Sequence, residues 1–232
     1  MDIIFSENIE AQEIMDKDME ILSSLEKEPI LHLYDWPGPT ITYGHFIKIK
    51  KYLNLKEVEQ RNIHLAKRPT GGGIVFHLGD LSFSFFLPSS HRAYSRQPLD
   101  NYQFVNQKIL SVLDSLIENT ALLSLTFEDK KVVNNDCSSF CMARPTKYDV
   151  FFQGKKVGGA AQRNKKQGYL HQGMIKIVDR DQDLVEKLLL KDNEIYQAMQ
   201  LNSCSLLGLK LDQERDFRAN LKEKLIDFFS EL

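Results

Sequence analysis

The run KRPTGGGIVFH, Lys67 to His77, constrains this chain more than any other stretch. It sets three of the 12 glycines side by side, behind a basic pair and directly ahead of an apolar segment. Glycine reaches backbone conformations that other residues avoid, and it puts no side chain between the backbone and a neighbour. Three in a row mark either a bulged strand corner or a turn whose exposed N–H groups cradle an anion. The spacing matches neither a Walker loop nor the dinucleotide fingerprint. On the glycines alone both readings stay open.

The rest of the chain has the composition of an ordinary folded protein. It is 232 residues long, 42% hydrophobic and 27% charged, with a net charge of −2. That balance argues against a generally nucleic-acid-binding surface. No apolar run approaches the roughly 20 residues of a membrane span. The acidic start, MDIIFSENIE, lacks the basic region of a signal peptide, so the expected location is the cytoplasm. Cys137, Cys141 and Cys204 are too few for a disulfide framework, and no His/Cys cluster has zinc spacing, so no metal is expected. Pairing of Cys137 with Cys141 is left open. Nothing signals an oligomer, and a monomer is the default.

Periodicity predicts a helix over 9–26, strands over 29–36 and 40–46 around the turn WPGP, and a short helix over 50–62. IVFH (74–77) and LSFSFFLP (81–88) read as the two strands of a hairpin turning at HLGD. Helices are expected over 100–118, 182–202 and 212–230, and strands over 122–128 and 168–178. Residues 129–146 read as polar loop. KYDVFFQGKKVGGAAQR, 147–163, reads as two strands about a tight turn at Gln153-Gly154. Strands and helices mix without a βαβ rhythm, so the fold class is α+β, a mixed β-sheet flanked by helices. No linker divides the chain, and residues 1–232 are expected to form a single domain.

The second glycine-rich element, Gly154 to Arg163, carries Lys155 and Lys156 just after the turn. Neighbours in a strand face opposite ways, so one lysine can meet a site while the other is solvated. Gly158, Gly159, Ala160 and Ala161 then allow something elongated to approach closely. Taken alone, a solvated lysine pair is the commoner case. Two such glycine-rich strands together suggest a slot, with an apolar tail along the backbones and a lysine at a carboxylate or phosphate.

Three ordered blocks carry a resemblance to a known family: LHLYDWPGPTITYGHFIKIKKYLN (31–54), KRPTGGGIVFHLGDLSFSF (67–85) and YDVFFQGKKVGGAAQRNKKQGYLHQGMI (148–175). The chain resembles the lipoate–protein ligase family, which includes the octanoyltransferases and the biotin ligase catalytic domain. The resemblance implies a mixed sheet with packed helices. It also implies an enzyme that joins a lipoyl or octanoyl group to one lysine of a lipoyl domain. The acceptors would be the E2 subunit of a 2-oxoacid dehydrogenase or the glycine-cleavage H protein. By resemblance, Gly71, Gly72 and Gly73 line the acyl tunnel and help position an acyl-adenylate. Lys156 contacts the acyl carbonyl and phosphate. Arg68, Thr70 and His77 fall at hallmark positions, and Gly158, Gly159 and Ala160 fall in the second glycine block. A fixed ammonium at Lys156 suits an oxyanion, and Arg68 suits a bidentate clamp. His77 is as well explained by a satisfied core histidine.

The family holds two chemistries. In one, lipoate is activated with ATP and Mg2+ to lipoyl-AMP and then transferred. In the other, octanoate moves from acyl carrier protein through a cysteine thioester, without ATP. CMARPTKYDV, Cys141 to Val150, resembles the cysteine-enzyme pattern, with Cys141, Pro145, Tyr148 and Asp149 in register. The unbroken Gly71–Gly73 run resembles the ligases instead, and the resemblance tips toward the adenylate route. The residues after about 180 are too few for the C-terminal accessory domain of the larger ligases. A non-catalytic acyl-binding module, which would lose Lys156, and biotin ligation are the remaining alternatives. Arg163, Lys165 and Lys166 form a basic segment that can steer an acidic lipoyl domain.

Overall fold

A computed structural model describes residues 1–129, 136–180, 182–190 and 193–232. Among them, seven strands form one sheet in the order β1-β2-β6-β10-β9-β8-β7, and three form a second in the order β4-β3-β5. The first sheet contains β1 (Asp2–Ser6), β2 (Ile30–Tyr34), β6 (Asp80–Pro88), β7 (Leu123–Leu125), β8 (Val150–Phe152), β9 (Lys155–Asn164) and β10 (Gly168–Lys176). The second contains β3 (Thr40–Tyr43), β4 (His64–Lys67) and β5 (Ile74–His77). The helices are α1 (Ala11–Ser24), α2 (Leu55–Gln60), α3 (Pro98–Asp114), α4 (Gln182–Leu188), α5 (Asn193–Asn202) and α6 (Glu214–Ser230). The expected α+β class holds, with the mixed sheet split in two.

Strand β6 explains the larger core. Leu81, Phe83, Phe85 and Leu87 face α3 and α6, meeting Val105, Ile109, Leu221 and Phe229. The alternate residues turn the other way: Phe86 packs with Leu22 of α1, and Ser84 donates to Asp18 of the same helix. Each buried phenylalanine contributes about 2–3 kcal/mol by leaving water. The smaller sheet has its own core, where Ile41, Ile74 and Phe76 meet Val58, Leu188 and Ile195.

The expected hairpin between IVFH and LSFSFFLP does not form. β5 pairs antiparallel with β3, while β6 pairs with β2 and β10. The cause lies at Gly79. Its carbonyl accepts from the N–H groups of Ile177 and Val178, and a Cβ there would stand 2.8 Å from the Val178 carbonyl oxygen. The chain passes under the end of β10 and enters the other sheet instead of turning back on itself.

Other expectations were met at the level of elements. The turn at Gln153-Gly154 has φ of +52° and +75° at its two residues, the pattern of a type I′ hairpin turn. The helix expected over 182–202 is two helices, α4 and α5, and the residues between them include some outside the described set. The polar loop expected over 129–146 also lies partly outside it. β1 is an addition: it pairs parallel with β2 at the sheet edge. Its mostly exposed residues show no alternation that would announce a strand. No described helix is long and apolar enough to cross a membrane.

Candidate active site

A cavity of about 400 Å³ opens where the two sheets meet, within the size range of small-molecule sites. Its lining comes from α1 (Met15), β3 (Thr42), the glycine run (Gly72, Gly73), the 138–146 segment (Cys141, Met142, Arg144), β9 (Lys156, Gly159, Ala160, Ala161) and β10 (Gln172, Met174).

The three glycines are not equivalent. A Cβ on Gly73 would overlap the carbonyl group of Ser139. That close approach lets the run bond the cysteine segment directly: Cys141 N–H donates to Ile74 O at 3.1 Å, and Gly73 N–H donates to Cys141 Sγ at 3.2 Å. Gly72 has φ +82°, and a Cβ on it would lie 3.2 Å from Arg68 Nη2 and 3.7 Å from Cys141 Sγ. A Cβ on Gly71 would meet nothing within 4 Å among the described residues, and Gly71 is not among the lining residues. Gly44 matters as much as the run itself, because a Cβ there would overlap the Gly72 carbonyl oxygen.

Arg68 is buried and held on three sides. Nη1 donates to Thr42 Oγ1 at 2.6 Å, and Nη2 donates to Gly73 O at 2.5 Å and Gly71 O at 3.3 Å. Burial pulls its guanidinium below the usual arginine value, and the neighbouring Cys141 sulfur and Tyr34 hydroxyl work against that pull. His77, whose ring lies tilted against that of Trp36, sits between Thr42 Oγ1 at 2.8 Å and Asp80 Oδ2 at 2.8 Å. Burial alone would raise the Asp80 carboxyl, but His77, Ser82 and Arg218 outweigh it and hold the group below the usual carboxylate value.

Lys156 is 5% exposed. Its Nζ lies 2.7 Å from Asp149 Oδ2 and donates to Cys141 O at 3.2 Å. Lys155 faces outward and donates to Gln200 O, as strand alternation requires. Asp149 also accepts from Tyr102 Oη at 2.5 Å and Thr146 N at 2.6 Å. It follows Tyr148, whose φ of +69° is uncommon for a bulky residue. Gly159 makes room for this pair, since a Cβ there would stand 2.5 Å from Asp149 Oδ1 and 2.9 Å from Lys156 Nζ.

Of the residues expected at the site, the cavity gathers Arg68, Gly72, Gly73, His77, Cys141, Lys156, Gly159 and Ala160. Thr70 and Gly158 lie beside it. Thr70 donates to Gln172 Oε1 at 2.7 Å, and Gly158 is packed in β9, where a Cβ would be 3.1 Å from Met174 O. Arg163 and Lys165, near the end of the β9–β10 hairpin, hold neighbouring segments: Arg163 Nη1 donates to Pro69 O and Lys165 Nζ to Ser23 Oγ. Lys166 is exposed. Among the described residues no cluster of three His, Cys, Asp or Glu is arranged to hold a metal ion.

The model of the lipoyl protein ligase A/B catalytic domain matches residues 7–206. The chain belongs to this family. As a lipoyl protein ligase A/B catalytic domain it is an enzyme, either a lipoate–protein ligase or a lipoyl/octanoyl transferase. It is similar to octanoyltransferase LipM of Halalkalibacterium halodurans, 27% identical over 196 residues, covering 84% of this chain and 71% of that one. It is also similar to octanoyltransferase LipM of Bacillus subtilis, 30% identical over 176 residues, covering 75% of this chain and 63% of that one. Two solved structures share the fold. The bipartite lipoate protein ligase of Thermoplasma acidophilum, studied with its E2 lipoyl domain, has a TM-score of 0.67 at 21% identity, covering 97% of this chain and 83% of that one. Lipoate-protein ligase A bound with ATP has a TM-score of 0.69 at 21% identity, covering 97% and 85%.

Sequence reasoning missed Thr42, Asp18 and Gln172. Asp18 carries a readable signal, since it occupies the apolar stripe of α1 among Ile14, Met15, Ile21 and Leu22. It is fully buried there and accepts from His32 Nδ1 at 2.8 Å and Gln172 Nε2 at 2.6 Å. Gln172 is a polar residue inside the wholly buried stretch of β10. Thr42 gives no such sign in TITY, where a threonine is an ordinary strand residue.

Proposed function

We propose that this chain transfers an octanoyl group from a carrier-bound thioester to the target lysine of a lipoyl domain, through a thioester on Cys141. One observation carries the reading. The Cys141 thiol sits in the cavity between the two sheets, accepts the Gly73 N–H, and shares that cavity with Arg68 and Lys156. A cysteine acts as a nucleophile when its thiolate is stabilised by nearby positive charge and donors. The similarity to enzymes named octanoyltransferases supports the same choice, against the resemblance of the intact Gly71–Gly73 run to the ATP-dependent ligases.

In the first half-reaction the Cys141 sulfur attacks the donor's thioester carbonyl. A new S–C bond forms, the donor's C–S bond breaks, and the proton of the cysteine leaves with the donor thiol. In the second half the amine of the acceptor lysine attacks the enzyme thioester. The amide C–N bond forms, the Cys141 S–C bond breaks, and a proton from the amine restores the thiol. Each half passes through an oxyanion, which the Lys156 ammonium is placed to stabilise. Asp149 holds that ammonium in position.

The ATP-dependent route has weaker support. A second cavity of about 290 Å³ shares Met142 and Met174 with the first and carries Lys155, Lys176 and Arg180. Each of these cations is already engaged: Lys176 by Asp179, Arg180 by Glu214, and Lys155 by the Gln200 carbonyl. A triphosphate would have to compete with those partners.

The test offers a purified lipoyl domain two donors in separate reactions, octanoyl-acyl carrier protein without ATP, and lipoate with ATP and Mg2+, read by intact mass. The expected result is acylation from the carrier protein, an octanoyl mass on the enzyme, and loss of both with Cys141→Ala. Acylation only with ATP, retained by Cys141→Ala, would overturn the proposal.

A further inference from the structure

The cavity wall contains a chain of hydrogen bonds that runs from Asp80 to Cys141, with Arg68 donating to both sides. Asp80 accepts from Ser82 Oγ at 2.7 Å and lies 2.8 Å from His77 Nδ1. A carboxylate only accepts, so Nδ1 carries a proton, and in the neutral imidazole Nε2 is left bare. The Thr42 hydroxyl, 2.8 Å from Nε2, then donates to it. Its oxygen is left to accept from Arg68 Nη1 at 2.6 Å. The other arm of Arg68 donates to Gly73 O at 2.5 Å, and the N–H of that same glycine donates to Cys141 Sγ at 3.2 Å. Thr42, Arg68, His77 and Asp80 are all buried.

We propose that Thr42 is a positioning residue for the Cys141 thiol, acting through Arg68 and Gly73 as the middle link of this chain. It rests on the reading of Cys141 as the nucleophile. Position 42 needs one group that accepts from a guanidinium and donates to an imidazole at once. A hydroxyl does both. Valine has nearly the shape of threonine and does neither. Arg68 Nε is already buried without a partner among the described residues, so losing the Thr42 acceptor leaves a second buried guanidinium nitrogen unsatisfied. An unmade hydrogen bond of this kind is costly enough to drive the side chain to another partner. Arg68 then releases Gly73, and the thiol loses its donor and its nearby charge together. The other charged groups lining the cavity are Arg144, from the thiol's own segment, and Lys156. Thr42 is bonded to neither.

The experiment measures iodoacetamide alkylation of Cys141 in the folded chain at neutral pH by peptide mass, with the Cys137 and Cys204 peptides read separately. Thr42→Val should slow alkylation of Cys141 about tenfold, the equivalent of one lost charge-assisted hydrogen bond. Thr42→Ser should restore it, and the other two peptides should be unchanged. Asp80→Asn is the second variant. Its amide can reverse the imidazole tautomer, and it should slow alkylation similarly while keeping side-chain volume. An unchanged Cys141 rate in folded Thr42→Val or Asp80→Asn would overturn the proposal, and so would a loss that serine does not rescue. Alkylation needs no acyl donor. A wild type with a Thr42-dependent rate that never gains an octanoyl mass would therefore sink the transfer reading and leave the positioning role standing.

Discussion

Lys156 Nζ and Asp149 Oδ2 lie 2.7 Å apart, both buried against the wall that carries Cys141. Two charges removed from water in this way depend on each other. The carboxylate is further held by Tyr102 and Thr146, and the ammonium also donates to the Cys141 carbonyl. Lys156→Met should cost about 3–5 kcal/mol in urea unfolding, because it strands a buried charge. Adding Asp149→Asn should recover part of that loss. Strict additivity of the two single effects would show that the pair is not coupled.

The three adjacent glycines and Gly159 should separate by function. Gly159→Ala drives a methyl into Asp149 and Lys156, and transfer should fall about a hundredfold through misplacement of the ammonium. Gly71→Ala meets open space and should stay within about twofold of wild type, as for other substitutions that touch nothing. Equal losses in the two variants would refute this division.

His171 makes stability depend on pH. Burial drives its imidazole from the usual 6.5 down to about 3, and Nε2 has no partner among the described residues. The unfolded chain binds a proton that the folded chain refuses. This contribution is therefore complete above about pH 6.5 and lost progressively as pH falls toward 3. At about pH 5 the loss is about 2 kcal/mol. His171→Phe should flatten the slope of stability against pH over that range by one proton. An unaltered slope in the variant would contradict the assignment.

Partner steering should rest on Lys166 rather than on the whole basic segment, because Arg163 and Lys165 are bonded to neighbouring segments. Lys166→Glu should slow transfer to an acidic lipoyl domain about threefold at low ionic strength, and the gap should close in high salt. Arg163→Gln should lower transfer at every salt concentration, since it frees the Pro69 carbonyl beside Arg68. A salt-dependent Arg163 effect with a silent Lys166 would reverse these roles.

Much of this protein was legible in one dimension. The glycine run, the Gln153-Gly154 turn, the outward Lys155 beside inward Lys156, and the stripe of α1 are local patterns, decided by backbone freedom and by the periods of helix and strand. Cys141, Arg68 and Lys156 were recognisable as residue types with a fitting chemistry. The split into two sheets was not legible, because it turns on Gly79 passing beneath Val178, a contact between residues about a hundred positions apart. The same holds for why Gly73 must be glycine, since the clashing atoms belong to Ser139.

The sequence by itself determined the family, the elements and the chemical inventory of the site. Only the tertiary structure decided which of those groups meet. It seated the Cys141 thiol on the Gly73 N–H and aimed Lys156 at Asp149. It also linked Thr42, a residue no pattern distinguishes, to both Arg68 and His77. The physical reason is that hydrogen bonding and charge pairing act over a few ångströms of space, while periodicity reports only on neighbours along the chain.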